Sequence, residues 1–362
     1  MKWSKICPEK IWSILQLRGK SIFALNRKFI WFILIVTGVV VFLSYLYFLF
    51  LPWNPPERSQ QIVVTIKRGM TPNMIATLLK EKGVIRGEEY FLWGAKLIGV
   101  TRELQAGNYF FKGPLTNYDV LRKLSKGDVM TTRITFPEGT RASKMAGMVQ
   151  EALGVDSTGF MDLVLDSSFC QSIGISADQL EGYLYPDTYV FHLEPTPEEI
   201  IQKMVDRFHQ MFTDSLRRRA DEIGMSVHEV VTLASIVEGE AAIASERAVI
   251  GALYLNRLAH RMLLQADPTI QYIIENGPRR LLDADLQIDS PYNTYIYAGL
   301  PPGPVNNPGI QCILAVLFPE PVDYLYMVAN GDGSHTFSYT MEEHLKAKQR
   351  FDRIRQEVNR NH

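Results

Sequence analysis

Between Phe29 and Leu51 the chain carries no charged side chain: FIWFILIVTGVVVFLSYLYFLFL. As a helix this run would be roughly 34 Å long at about 1.5 Å per residue, enough to cross a hydrocarbon layer of about 30 Å. Aromatic residues stand near both ends (Trp31 and Phe32; Tyr45, Tyr47 and Trp53), where headgroup belts hold them, and Pro52 stops the helix. The run is too long for a cleaved leader and no small-x-small site follows, so a permanent single-pass anchor is expected. After a stiff Pro-rich linker at 52–61 the apolar pattern shortens. Ile62–Ile66 and the segment near Gly107–Phe111 read as strands. A helix capped by Thr71 or Asn73 should run to about Lys82 and stop at Gly83, and a second should cover Glu88–Ile98. Pro114–Gly127 and Phe136–Gly154 repeat the order of capped helix, then glycine.

From about residue 155 the pattern becomes more helical. Thr196, Pro197 and Glu199 form a capping box that opens one helix, expected to end at Gly224. Ser226 and Glu229 open the next, and a third begins near Ser245. Tyr324–His344 reads as a hairpin turning at Asn330–Gly331 and Asp332–Gly333, and the closing segment, FDRIRQEVNR, as an amphipathic helix with a solvated face. The fold class is therefore α+β. Its expected parts are a basic tail (1–28), the transmembrane helix (29–51), the linker (52–61), a small α+β module (62–128), a mixed, helix-rich domain (129–345) and a terminal helix (346–362).

Charge sharpens this picture. The first 28 residues hold seven basic side chains and one acidic one, a balance of +6 that leaves −7 for the rest of a chain whose net charge is −1. Basic residues before the span keep the N-terminus in the cytoplasm and residues 54–362 outside. An acidic outer part excludes nucleic acid as its partner. Of three cysteines, Cys7 is cytoplasmic on this topology. Cys170 and Cys312 either pair or lie as two separately buried thiols, since a large core needs no staple. No C-x-x-C or H-x-x-x-H spacing calls for a metal, and nothing calls for a cofactor.

One acid stands out. In LASIVEGEAAIASERAVIGALYLNRL, Glu238 shares a helical stripe with Val227, Val231 and Ala234, among small neighbours (Ser235, Gly239, Ala241, Ala242). A carboxyl buried there would be held neutral by desolvation and could give a proton to a leaving oxygen. A solvated or salt-bridged acid at a helix end is the commoner case, and Gly239 fits such an end. LQADPTIQY (264–272) and SPYNTYIYAGLPPGPVNNPG (290–309) are rich in amides, hydroxyls and tyrosines, groups that bind sugars, and such loops could wall a groove. The lone His335 after the hairpin turn reads as a structural hydrogen-bonding residue.

Together LASIVEGE, LQADPTIQY, YNTY with GLPPGPVNNPG, YLYMVANGDGSHTFS and LEGYLYPDTY (180–189) resemble the YceG-like family of membrane-anchored endolytic murein transglycosylases. The likeness covers most of residues 60–345. It implies a LysM-like module followed by a catalytic domain. The implied activity is internal cleavage of peptidoglycan strands between N-acetylmuramic acid and N-acetylglucosamine, leaving a 1,6-anhydro end. It implies Glu238 as the catalytic acid, and departs from the family in having Gly239 where a larger residue, often Lys, is common. It also implies that the enzyme sits on the inner or plasma membrane, facing the periplasm, acting on glycan strands and terminating nascent strands beside a synthase. Gln265, Asp267, Asn293, Thr294 and Tyr295 are the candidates for holding sugars or orienting the acid. Two other readings remain open: a muramidase-type hydrolase using Asp267 or Glu240 with water, and a non-catalytic glycan-binding scaffold.

Overall fold

The computed structural model describes residues 9–50, 61–192, 195–275 and 277–360, and divides into two compact units, Met1–Met130 and Thr131–His362. In the first, helix α1 (Glu9–Phe50) contains Arg27–Tyr47, the one stretch among the described residues long and apolar enough to cross a membrane. Its mean hydropathy is 2.6 and it is not buried within the protein, which is consistent with a single-pass anchor. Cys7 and all of the linker but Gln61 lie outside the described residues.

The rest of the unit runs β1 (Ile62–Ile66), α2 (Pro72–Glu81), α3 (Glu88–Leu97), β2 (Gly107–Phe111) and α4 (Asn117–Lys126). β1 and β2 pair antiparallel, Ile62 opposite Phe111. Thr71 caps α2, and Thr116 with Asp119 closes a capping box on α4, which ends at Gly127 in the left-handed region (φ 64°). Val64, Ile66, Ile75, Leu79, Phe91, Tyr109, Phe111 and Leu121 form its own core.

The second unit begins with β3 (Thr131–Thr135), then α5 (Ala142–Leu153), α6 (Ser157–Val164) and α7 (Ser167–Ser172). β4 (Thr188–His192) returns to pair antiparallel with β3, so two segments more than 50 residues apart make one ribbon. Helices α8 (Pro197–Met211), α9 (Asp214–Glu222), α10 (Val227–Glu240), α11 (Arg247–Ala259), α12 (Asp267–Ile273) and α13 (Ile310–Leu317) follow. β5 (Tyr326–Ala329) and β6 (His335–Ser338) form the expected hairpin, and α14 (Met341–Arg360) closes the chain. α10 runs through the middle of this unit. Val230, Val231, Leu233, Ile236 and Val237 are fully buried against α11 and α13, contributing about 2 kcal/mol each.

Two expectations need correction. The stretch opened by Thr196 is two helices, not one: the chain leaves α8 at Phe212 (ψ 76°) and restarts after Thr213. Phe212 is buried and stacks on Phe208 at 5.6 Å, so burying the ring prevails over continuing the helix. The helix after Phe136 has no threonine cap either. Arg141 is its N-cap residue, and the Glu181 carboxylate, 39 residues on, accepts from the Ala142 amide at 3.0 Å. Cys170 and Cys312 are separate buried thiols.

Candidate active site

Ser226 and Glu229 fix the start of α10: Ser226 Oγ accepts from the Glu229 amide, and Glu229 Oε2 accepts from the Ser226 amide at 2.8 Å. A little over three turns later the stripe of Val231 and Ala234 delivers Glu238 into the unit, its side chain only 8 % exposed. Its surroundings come from three other segments. Gly309, just before α13, donates its amide to Oε2 at 3.0 Å. Arg247, the first residue of α11, brings Nη2 to 4.0 Å from Oε1. The Cys312 thiol on α13 is close enough to feel the charge of the same carboxyl and is pushed up, first by burial and then by that charge. Gly139, in the left-handed region at φ 73°, passes so close that a Cβ there would lie 3.3 Å from Glu238 Cγ. Dryness is thus half of the acid's environment; an amide and a guanidinium supply the other half.

The loop holding Gly139 also supplies Glu138. Its Oε2 lies 3.8 Å from the same Arg247 Nη2, and its side chain is 44 % exposed. The carboxyl rests directly on Gly309, in the space a Cβ would need. Burial raises its pKa, the charge of Glu238 raises it further, and Arg247 opposes both.

Asn307 stitches these loops together. Its Oδ1 accepts from the Gly182 and Leu184 amides at 2.9 and 3.0 Å, and its Nδ2 donates to the Thr140 carbonyl (2.9 Å) and to Glu181 Oε1 (2.8 Å). It is completely buried, so nearly all its hydrogen-bonding capacity goes into shaping the site. Glu181 is buried with it, and desolvation pushes its carboxyl up to about 7 against the pull of the Ala142 amide and Arg141.

The sugar-binding candidates divide differently from expectation. Asn293 and Thr294 have almost no exposed surface. Asn293 Nδ2 donates to the Leu286 and Ile288 carbonyls, and Thr294 Oγ1 accepts from the Ala266 amide beside Thr269 Oγ1. Their side chains hold loops. Asp267 is the first residue of α12, and its Oδ1 accepts from the Tyr295 hydroxyl at 2.5 Å. Its amide and the Tyr254 hydroxyl both donate to Glu240 Oε1. Asp267 and Tyr295 therefore belong with Glu240, which desolvation and then the Asp267 charge push up to about 7. Gln265 is exposed, with its backbone at φ 49° held by the Thr294 carbonyl. α10 stays helical through Gly239, where a Cβ would meet Pro268 Cγ at 2.6 Å, so the missing side chain makes room for α12.

An open cavity of about 410 Å³ is lined by Asp178, Gln179, His228, Tyr292, Pro302 and Gly303, among others. It uses the second Pro-Gly-rich loop as a wall, but Glu238 does not line it. His335 is a structural partner: its amide and Nδ1 both meet the Glu246 carboxyl, at 3.0 and 2.8 Å. Among the described residues no group of three His, Cys, Asp or Glu side chains is placed to hold a metal ion.

The sequence profile of the YceG-like family matches residues 64–350. The chain belongs to the YceG-like family. An endolytic murein transglycosylase of Bacillus subtilis (strain 168) is 33 % identical over 319 residues, spanning 82 % of this chain and 87 % of that one. A second protein of that name, from Streptococcus pneumoniae R6, is 28 % identical over 321 residues, which are 79 % of this chain and 57 % of its own longer one. The crystal structure of a yceG-like protein from Listeria monocytogenes matches with a TM-score of 0.56 at 33 % identity, covering 79 % of this chain and 98 % of that chain. The YceG-like match takes in every segment that surrounds Glu238.

Sequence reasoning missed Glu138, Arg247, Glu181 and Asn307. Glu138 lay in a Pro-Glu-Gly turn read as helix capping. Arg247 follows Glu238 across a helix break, so no periodicity links the two. The paired amides of Asn306–Asn307 in a Pro-rich loop were the one legible signal.

Proposed function

We propose that this protein is a membrane-tethered endolytic murein transglycosylase, with Glu238 as its acid and base. Unit 2 is then the catalytic domain, unit 1 beyond the anchor its LysM-like module, and residues 54–362 lie outside the inner or plasma membrane. The observation that carries the reading is the placement of Glu238: a nearly buried carboxyl on a central helix, oriented by the Gly309 amide and flanked by Arg247, in a chain one third identical to a protein named for this activity.

The chemistry follows from the site. Protonated Glu238 gives its proton to the oxygen linking N-acetylmuramic acid to N-acetylglucosamine, and the C1–O bond breaks. The carboxylate left behind is received by an amide and a guanidinium already in place, so little reorganises as charge develops. The muramoyl 6-hydroxyl then closes on C1 and yields its proton to Glu238, which restores the acid and leaves a 1,6-anhydro end. No water is consumed. Such cleavage inside a strand close to the membrane would terminate nascent glycan beside a synthase.

One observation favours a second reading. A hydrolase needs a second carboxylate near the first, and the structure brings Glu138 there, not Asp267 or Glu240. The two readings differ by one water in the product. Glu238→Gln tests the shared core. Cleavage of purified glycan strands should fall by at least about 100-fold with strand binding and melting temperature retained, while Glu240→Gln keeps most activity. Full activity in Glu238→Gln would overturn the assignment, and a wild type that binds strands without cutting them would make the protein a scaffold.

A further inference from the structure

Glu138 stands apart from an ordinary surface acid. Arg247 Nη2 lies 3.8 Å from Glu138 and 4.0 Å from Glu238, so the two carboxyls are no more than about 8 Å apart, within the range at which paired carboxylates flank one glycosidic bond. Both distances exceed a hydrogen bond, and Arg247 Nε is buried with no partner among the described residues. The guanidinium therefore offsets charge without occupying the lone pairs of either acid. Glu238 is almost enclosed, whereas Glu138 keeps one face open. The absent side chain at Gly309 lets it rest against the backbone that orients Glu238.

We propose that Glu138 is a second substrate-facing carboxylate of this site, which accepts the acetamido N–H of the muramoyl residue as positive charge builds beside C1. The proposal rests on the transglycosylase reading. As Glu238 protonates the leaving oxygen and the C1–O bond breaks, the acetamido carbonyl oxygen bonds to C1. The resulting bicyclic oxazolinium ion carries its charge on the N–H that Glu138 holds. The 6-hydroxyl then displaces that oxygen from C1, the acetamido group reforms, and the hydroxyl proton passes to Glu238. Glu138 gains and loses no proton; its contribution is a fixed negative charge at the place where a cation forms. The groups facing it are Glu238 on α10, Arg247 on α11, Tyr185 in the loop before β4 and Cys312 on α13. Arg247 is the single cation among them.

The test uses the full-length chain in detergent and two ligands: a muramoyl thiazoline, which mimics the bicyclic ion, and an uncleaved tetrasaccharide of the glycan bound by the Glu238→Gln background. Glu138→Gln should weaken the thiazoline by roughly 100-fold and the tetrasaccharide by less than about 3-fold. Glu138→Asp, which keeps the charge but draws it back, should fall between. Equal losses for both ligands, or thiazoline affinity within about 3-fold of wild type, would overturn the proposal. If Glu238→Gln is inactive while Glu138→Gln retains activity and thiazoline affinity, only this inference falls. If the wild type binds neither ligand, the transglycosylase reading falls with it.

Discussion

Glu181 and Arg247 show how much of this site depends on charges placed where water is scarce. Glu181 holds its proton up to about 7, while the unfolded chain releases it near 4.5. Between those values the native state binds more protons than the unfolded one, so stability falls as pH rises through this window and levels off above it. Urea unfolding from pH 4.5 to 8 should show this slope, about 3 kcal/mol from Glu181, and Glu181→Gln should flatten it; an unchanged slope in that variant would refute the assignment. Arg247→Met removes the cation shared by Glu138 and Glu238. Glu138, which Arg247 holds down, should then keep its proton to higher pH, and the acid limb of the activity profile should move up. The shift is read from pH–rate profiles of the variant and the wild type.

At the scale of elements, α10 is the beam and the loops around it are the fittings. Ser226→Ala deletes the side-chain half of its capping box and should cost about 1 kcal/mol of stability, read as a lower melting temperature with KM unchanged, because Glu238 lies at the far end of the helix. Asn307→Leu should be far more damaging, about 3 kcal/mol or more, since it leaves the Gly182 and Leu184 amides and the Glu181 carboxyl buried without their partner. The contrast explains what was legible beforehand. Caps are local signals, so α2, α4, α8, α10 and the β5–β6 hairpin could be read from a few consecutive residues. The stripe of Val231, Ala234 and Glu238 was legible for the same reason. What brings Glu138 and Arg247 beside Glu238, or Glu181 to the start of α5, is contact between segments tens of residues apart, which periodicity does not encode. The loop-holding contacts of Asn293 and Thr294 were not legible, because an amide or hydroxyl that holds a buried loop has the same composition as one that holds a sugar.

For the whole molecule, an apolar helix of 21 residues precedes a unit that buries its own core and a second that buries another. A chain lacking residues 1–51 should remain in the soluble fraction after cell lysis, where the full chain pellets with membranes. A truncated chain that still pellets would contradict the anchor. The proposed reaction turns on what attacks C1 once the glycosidic bond opens. The most direct measurement is the mass of the muramoyl ends released when the purified full-length enzyme digests uncrosslinked glycan strands in water enriched in oxygen-18. The ends should be lighter than a reducing sugar by one water and free of the heavy isotope, because the 6-hydroxyl closes the ring. Reducing ends carrying oxygen-18 at C1 would mean that water is the nucleophile, and would contradict the proposed reaction.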